Sequence, residues 1–347
     1  MTRNAKIVPL FNRVIFATSI TLTSSLALAG PLSFNDIFVF GDSLSDTGNN
    51  PSKWPSDSSA SDANERGYGG NDRYSNGPLW HEYLADELKR PRATNSEATA
   101  GGNNYAFAGA EVNNDPGVLG TTSGILLQET FYNIDLVGRA DANDLYITWA
   151  GGNDLLALAF ELNPAAAIND RLNSFVSVMQ RLVDNEVGTL LVPNLPDLGL
   201  IPRLAGTDLS AGATALTQLW NAGLQQRLIT LSTKTSASIF YLDVFGIFGS
   251  VLKGTAAASG ITNTTDQCRI VSENFETETA CDNAASYLFW DEIHPTTAAH
   301  KFLGLEAFAL LSSGNSVRAV PEPAVIWLML LGLGAIVGRR ATAAKPV

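Results

Sequence analysis

The sequence predicts an α/β protein, a three-layer α/β/α sandwich around a mainly parallel five-stranded sheet. Three observations carry this. Five short apolar or aromatic runs alternate with longer segments whose apolar residues recur at helical spacing. Several of those runs stop at a glycine or a small polar residue, where open α/β sheets place their chemistry. No internal repeat and no second composition regime divides the chain, so one domain accounts for all five.

In chain order, Ile37 to Phe40 combines β-branched and aromatic residues and reads as a buried strand ended by Gly41. Asn50 to Gly77 has too few apolar residues to bury itself and reads as a surface loop, either a wall of a substrate cleft or a plain insertion. Pro78 to Leu88 is helical in pattern: Pro78 suits a first turn, and Trp80, Tyr83, Leu84 and Leu88 share a face. Asn104 to Ala108 is a second strand, ending on Gly109. Ile125 to Arg139 has helix character, and Leu145 to Trp149 is a strand running into Gly151-Gly152-Asn153-Asp154. The clearest helix carries Leu172, Phe175, Val176, Met179, Leu182 and Val183 on one face, with Gly188 its expected stop. Thr189 to Val192 is a strand, Leu216 to Leu231 a helix, and Ser238 to Val244 the fifth strand. A last helix is expected from about Thr296 to Leu311.

Neither end belongs to this domain. Arg3, Lys6 and Arg13 precede an apolar stretch from Val14 that closes on Ala27-Leu28-Ala29, the layout of a secretory signal peptide over residues 1–29. The folded domain then spans 30–312, and 313–319 reads as a linker. Val320-Pro321-Glu322-Pro323, an apolar run from Ala324 to Gly338 and Arg339-Arg340 make up residues 320–347. Fifteen helical residues reach roughly 22 Å, short of a roughly 30 Å hydrocarbon core, so membrane contact through this segment is expected to be transient. The tail resembles the PEP-CTERM sorting signal of Gram-negative bacteria. That resemblance implies export across the inner membrane, processing by an exosortase, and a destination at the cell surface or in the extracellular matrix.

The chain has 22 basic and 34 acidic residues, and without its two ends 16 remain against 33. A net charge of about −17 repels phosphate backbones, so nucleic acid is not an expected partner. Cys268 and Cys281, closely spaced in a polar loop of an exported chain, read as a disulfide worth roughly 3 kcal/mol in the chain-entropy picture. Two cysteines and three scattered histidines supply too few ligands for a metal site, and no cofactor is expected.

Catalytic residue types gather at the strand ends. Ser43 follows the first strand after Gly41-Asp42, Gly109 and Asn153 close two others, and Asp291 stands three residues before His294. Attack on an ester carbonyl needs an activated nucleophile and a stabilised oxyanion. A serine hydroxyl needs an adjacent base, and histidine has a pKa suited to that task. His294 has a carboxylate three residues earlier, close enough on one turn to accept its Nδ1 proton. His81 and His300 lie on expected helices and read as core or surface residues.

Phe40-Gly41-Asp42-Ser43-Leu44-Ser45-Asp46, Asn104-Tyr105-Ala106-Phe107-Ala108-Gly109-Ala110, Gly151-Gly152-Asn153-Asp154 and Asp291-Glu292-Ile293-His294-Pro295 resemble, in order, the four blocks of the GDSL/SGNH hydrolases. Arg73 to Trp80 is similar to the segment after the first block in longer members. The resemblance implies a flavodoxin-like fold and an esterase or lipase acting on lipid, short-chain or acylated-glycan esters. It assigns Ser43 as nucleophile, His294 as base and Asp291 as its orienter. The N–H groups of Ser43 and Gly109 and the Asn153 amide become the oxyanion hole, although Ala108 replaces the first glycine of the family's usual pair. Asp154 is expected to orient Asn153 or cap the next helix, and Glu292 to face solvent. Phe107, Trp149 and Trp290 are candidates for an acyl pocket or simply for the core. An acyltransferase or polysaccharide deacetylase would use the same site. A catalytically inactive matrix-binding protein would keep only the fold.

Overall fold

The structure is a computed structural model and describes residues 33–49, 72–96, 99, 101–113, 123–135, 141–158, 164–254, 260–271 and 278–317. The expected signal peptide, the sorting tail and most of the long loop after Ser43 lie outside the described residues. Strands β1 (Ile37–Gly41), β2 (Leu145–Trp149), β3 (Thr189–Pro193) and β4 (Ser238–Leu242) form one sheet in the order β1-β2-β3-β4. Every pairing is parallel, with Ile37 opposite Leu145, Leu145 opposite Thr189 and Thr189 opposite Ser238. All five residues of β1 and of β2 are buried, so both faces are covered and the strands read as continuous apolar runs.

The sheet has four regular strands where the sequence suggests five. Asn104 to Ala108 does run beside β1: Tyr105 N–H donates to Val39 O at 2.7 Å and Phe107 N–H to Gly41 O at 3.1 Å. Its other side meets residues 94–96 at Asn104, where Asn104 N–H donates to Thr94 O at 2.9 Å and Ser96 N–H to Asn104 O at 3.0 Å. The Asn49 amide also donates to Asn104 O and Ala106 O at 2.8 and 2.9 Å. The segment therefore forms only isolated parallel bridges, both at Asn104, to Val39 on one side and to Asn95 on the other.

Helices α1 (Trp80–Glu87), α2 (Ile125–Asp135), α3 (Gly152–Leu158), α4 (Pro164–Asp184), α5 (Ser210–Ser232), α6 (Val244–Leu252) and α7 (Thr297–Ser313) fall into two groups. One group packs α1 and α6 on α7, and the other packs α2, α3 and α5 on α4, the two outer layers a sandwich requires. Helix α4 stops before Gly188. Glu186 takes the left-handed position (φ 69°) and Val187 N–H reaches back to Leu182 O, a Schellman-like end. Helix α6 was not apparent in the apolar pattern, yet Asp243 caps it by accepting from Gly246 N–H. At the C-terminus Gly314 (φ 69°) ends α7, and Val317 N–H donates to Ile239 O, so this part of the expected linker lies along β4.

Two small sheets lie outside the main one. β5 (Asn263–Gln267) pairs with β8 (Tyr287–Phe289), and β6 (Arg269–Val271) forms a hairpin with β7 (Glu278–Ala280). The Cys268–Cys281 disulfide closes that hairpin. No helix among the described residues is long and apolar enough to cross a membrane.

Candidate active site

Ser43 sits in a tight turn just beyond β1. Ser45 N–H and Asp46 N–H both donate to Asp42 O at 3.0 Å, while Leu44 N–H donates to the Asp42 carboxylate. These bonds occupy the neighbouring donors, and Ser43 N–H donates to no group among the described residues. Asp46 fastens this turn to the next. Its carboxylate is fully buried and accepts from Gly48, Asn49 and Ala108 N–H at 2.7–2.9 Å. Ala108 opens a turn closed by the bond from Ala110 N–H to Phe107 O, with Gly109 at φ 77° in its third position. A left-handed residue there is the reason for glycine, and its N–H is also unspent among the described residues. Asn153, at the start of α3, holds the other flank by donating from Nδ2 to Ala110 O at 3.0 Å.

The base arrives from a loop between β8 and α7. His294 Nε2 lies 2.9 Å from Ser43 Oγ, and His294 Nδ1 lies 2.8 Å from Asp291 Oδ2. The other Asp291 oxygen accepts from Ile293 and His294 N–H at 2.8 and 2.7 Å. Burial acts to raise the Asp291 pKa, but the His294 ring and these bonds outweigh it and hold the group below its usual value. The carboxylate is thus ionised at neutral pH, as an imidazole partner requires. Asp42 behaves differently: burial lifts it to about 6, against the pull of the Leu44 N–H and of His294.

The segment Arg73 to Trp80, whose role its residues left open, is the fastening of the His294 loop. The Tyr74 ring lies 5.4 Å from the His294 ring, and Ser75 Oγ donates to Pro295 O at 2.9 Å. Asn76 Oδ1 accepts from Thr297 N–H at the start of α7, and Arg73 grips buried Glu82 of α1 through two 2.6 Å bonds. The disulfide hairpin holds the other side, since Cys268 N–H donates to Phe289 O and Arg269 N–H to Trp290 O.

Ser43, Asp291, His294 and Asn153 thus converge where the strand ends were expected to bring them. Asp154 does not touch the Asn153 side chain. Its carboxylate accepts from Val112 N–H at 3.1 Å and lies 3.2 Å from Arg171 Nε. Burial, helped by the charge of Glu111, lifts its pKa to about 7. Glu292 is exposed and pairs with Arg203. His81 and His300 are buried in the α1–α7 layer.

A pocket of about 550 Å³, counted to its open mouth, adjoins Ser43 and Asn153. Of the three aromatic candidates only Trp149 lines it, fixed by its indole N–H to Asn194 O at 3.0 Å. Phe107 and Trp290 are buried elsewhere. The apolar residues from the ends of β3 and β4 that complete the pocket escaped sequence reasoning. Only the Asp243 cap ahead of an apolar run could have flagged the last of them.

An imidazole bridging a serine hydroxyl and a carboxylate, at the carboxyl edge of a parallel sheet, is the arrangement serine-dependent hydrolases use. The sequence model of the GDSL-like lipase/acylhydrolase family matches residues 37–307. The chain belongs to that family and is a carboxylic ester hydrolase. It is 30% identical over 205 residues to Lipase 1 of Photorhabdus luminescens, across 57% of this chain and 28% of that protein. The chain therefore spans less than a third of that relative. It is 26% identical over 339 residues to the phosphatidylcholine-sterol acyltransferase of Aeromonas hydrophila, covering 85% of this chain and 95% of that one. Among solved structures, a catalytic mutant of the acetylxylan esterase Axe2 from Geobacillus stearothermophilus aligns with a TM-score of 0.41 and 14% identity, over 81% of this chain and 96% of that one.

Proposed function

We propose that the protein is an exported serine esterase or lipase that works through an acyl-enzyme. The observation that carries this reading is the continuous relay from Asp291 through His294 to Ser43, with 2.8 and 2.9 Å links. Ser43 Oγ attacks the acyl carbon as its proton passes to His294 Nε2, and Asp291 steadies the imidazolium that forms. The oxyanion is received by the N–H groups of Ser43 and Gly109 and by the Asn153 amide, two of which have no competing protein acceptor among the described residues. His294 then gives the proton to the departing alcohol, and water repeats the sequence to release the acid.

Ser43→Ala tests this directly. Turnover of p-nitrophenyl butyrate should fall to background while the circular dichroism spectrum stays unchanged, and a fluorophosphonate should label the wild type at Ser43 alone. Retained turnover ends the proposal, and an unlabelled wild type favours an inactive matrix-binding role. The likeness to an acyltransferase over most of both chains motivates a second reading, transfer of the acyl group to an alcohol. Counting ester product against free acid in the presence of an alcohol acceptor separates the two. A polysaccharide deacetylase would instead release acetate from acetylated glycan.

The proposed location rests on the basic, apolar and small-residue order of residues 1–29 and on the tripartite tail. Mass spectrometry of the protein from a Gram-negative host carrying an exosortase should find a chain that starts at Gly30 and lacks the tail. An intact Met1 in the exported fraction sinks the export proposal.

A further inference from the structure

Two buried side chains at the start of α1 reach the nucleophile turn, although neither belongs to the relay. Trp80 Nε1–H donates to Ser45 Oγ at 3.2 Å, and His81 Nε2 lies 3.0 Å from Ser45 O. A carbonyl only accepts, so Nε2 carries the proton and the His81 ring is the donor. Asn104 Nδ2 donates to the same carbonyl at 2.8 Å. Ser45 stands two residues after Ser43 and closes the turn through its own N–H on Asp42 O.

The same helix is also fixed to the element that follows the base. Tyr83 OH lies 2.9 Å from Thr297 Oγ1, and that hydroxyl donates to Pro78 O at 2.8 Å. Thr297 opens α7 three residues after His294. A Cβ on Gly304 would come within 2.5 Å of Trp80 O, so α7 meets α1 backbone to backbone. One helix therefore touches both halves of the relay, the Ser45 turn on one side and the start of α7 on the other.

Packing alone does not account for a histidine at position 81. The ring is buried, and its Nδ1 has no hydrogen-bond partner among the described residues. Burial lowers its pKa to about 4, so at neutral pH the ring is uncharged and Nδ1 is a bare acceptor. An acceptor buried without a partner is destabilising, and a leucine of similar size would avoid that cost. What the imidazole supplies and leucine cannot is the donor on Ser45 O.

We propose that Trp80 and His81 are positioning residues for ester hydrolysis: they fix the nucleophile turn relative to α7 and so keep Ser43 Oγ within hydrogen-bonding distance of His294 Nε2. This deepens the serine-esterase reading and rests on it. Neither residue lines the pocket beside Ser43, so KM should not depend on them.

The experiment compares His81→Leu, His81→Gln and Trp80→Phe with the wild type on p-nitrophenyl butyrate. In His81→Leu kcat should fall about tenfold with KM unchanged, the loss expected when a reacting atom shifts by about half an ångström. Its thermal midpoint should equal or exceed that of the wild type, since the bare acceptor is gone. His81→Gln, whose amide N–H replaces the ring donor, should recover most of the lost kcat. A merely structural histidine would give a lower midpoint and an unchanged kcat in the folded fraction. An unchanged kcat in folded His81→Leu, or no recovery in His81→Gln, overturns the proposal. Should the leucine variant not fold, Trp80→Phe decides in the same way, by a lowered or an unchanged kcat at constant KM. If the wild type turns over no ester, the catalytic reading fails and the positioning is judged on a crystal structure of His81→Leu. There the Ser43 Oγ to His294 Nε2 distance should lengthen by about half an ångström. A distance still at 2.9 Å overturns it.

Discussion

Ser43 hangs from β1, whose five residues are all in register with β2, and its turn is tied to the Gly109 turn by the buried Asp46. His294, 251 residues later, lies on a loop outside the main sheet. That loop is held by side chains from before α1, by the cap of α7 and by a disulfide hairpin. One arm of the site is thus positioned by backbone ladders that are also the core of the fold. The other is positioned by a handful of separate attachments. Damage to the first arm should appear as lost stability, and damage to the second as lost turnover in a protein that still folds.

The sharpest probe of the second arm is Asp291→Asn, which keeps the shape and removes the charge that orients the imidazole. A fall in kcat on the order of 10⁴ is expected, with the thermal midpoint nearly unchanged. A fall of less than tenfold would break the comparison. On the first arm, Asp46→Ala strands the N–H groups of Gly48, Asn49 and Ala108, each costing about 1–3 kcal/mol when buried without a partner. Urea unfolding should report a loss of several kcal/mol. A stable variant with only its turnover impaired would place Asp46 with the other arm. Next in size is the Cys268→Ser, Cys281→Ser double variant. It should cost about 3 kcal/mol, and its remaining folded fraction should have lowered kcat because the hairpin holds the strand ahead of Asp291.

The smallest expected effect concerns the helix that follows the base. His300 on α7 is buried with neither ring nitrogen hydrogen-bonded, and burial lowers its pKa to about 3. The unfolded chain takes up that proton near pH 6.5, so stability is fully present above pH 6.5 and declines as the pH falls toward 3. His81, Glu82 and His294 are the charges that act on it. Between pH 7.5 and 5 the wild type should lose about 2 kcal/mol relative to His300→Leu. Asp42 and Asp154, raised by burial, act in the opposite sense, but they are common to both proteins and cancel in the difference. Parallel curves for the two proteins would show that the imidazole carries no buried penalty.

The two arms were also unequally legible. β1, β2, β3 and the turn glycines follow from local pattern, because a strand buried on both faces must be apolar and a left-handed turn position favours glycine. The pairing of Asp291 with His294 is equally local, a carboxylate three residues from its imidazole. Asn104 to Ala108 has the composition of a regular strand, and composition does not reveal that its bridges on both sides are confined to Asn104. Asp154, expected to orient Asn153 or cap the next helix, accepts from Val112 N–H and lies beside Arg171, because adjacency in sequence does not say where a side chain turns.

The sequence by itself determined the fold class, the serine, its base and the carboxylate behind it, since each follows from residue type and short-range spacing. Only the tertiary structure decided that Tyr74 to Asn76 clamp the base loop and that Asp46 joins two turns. Those relations join residues tens to hundreds of positions apart. Strand order and helix packing set their distances, and no local pattern encodes either.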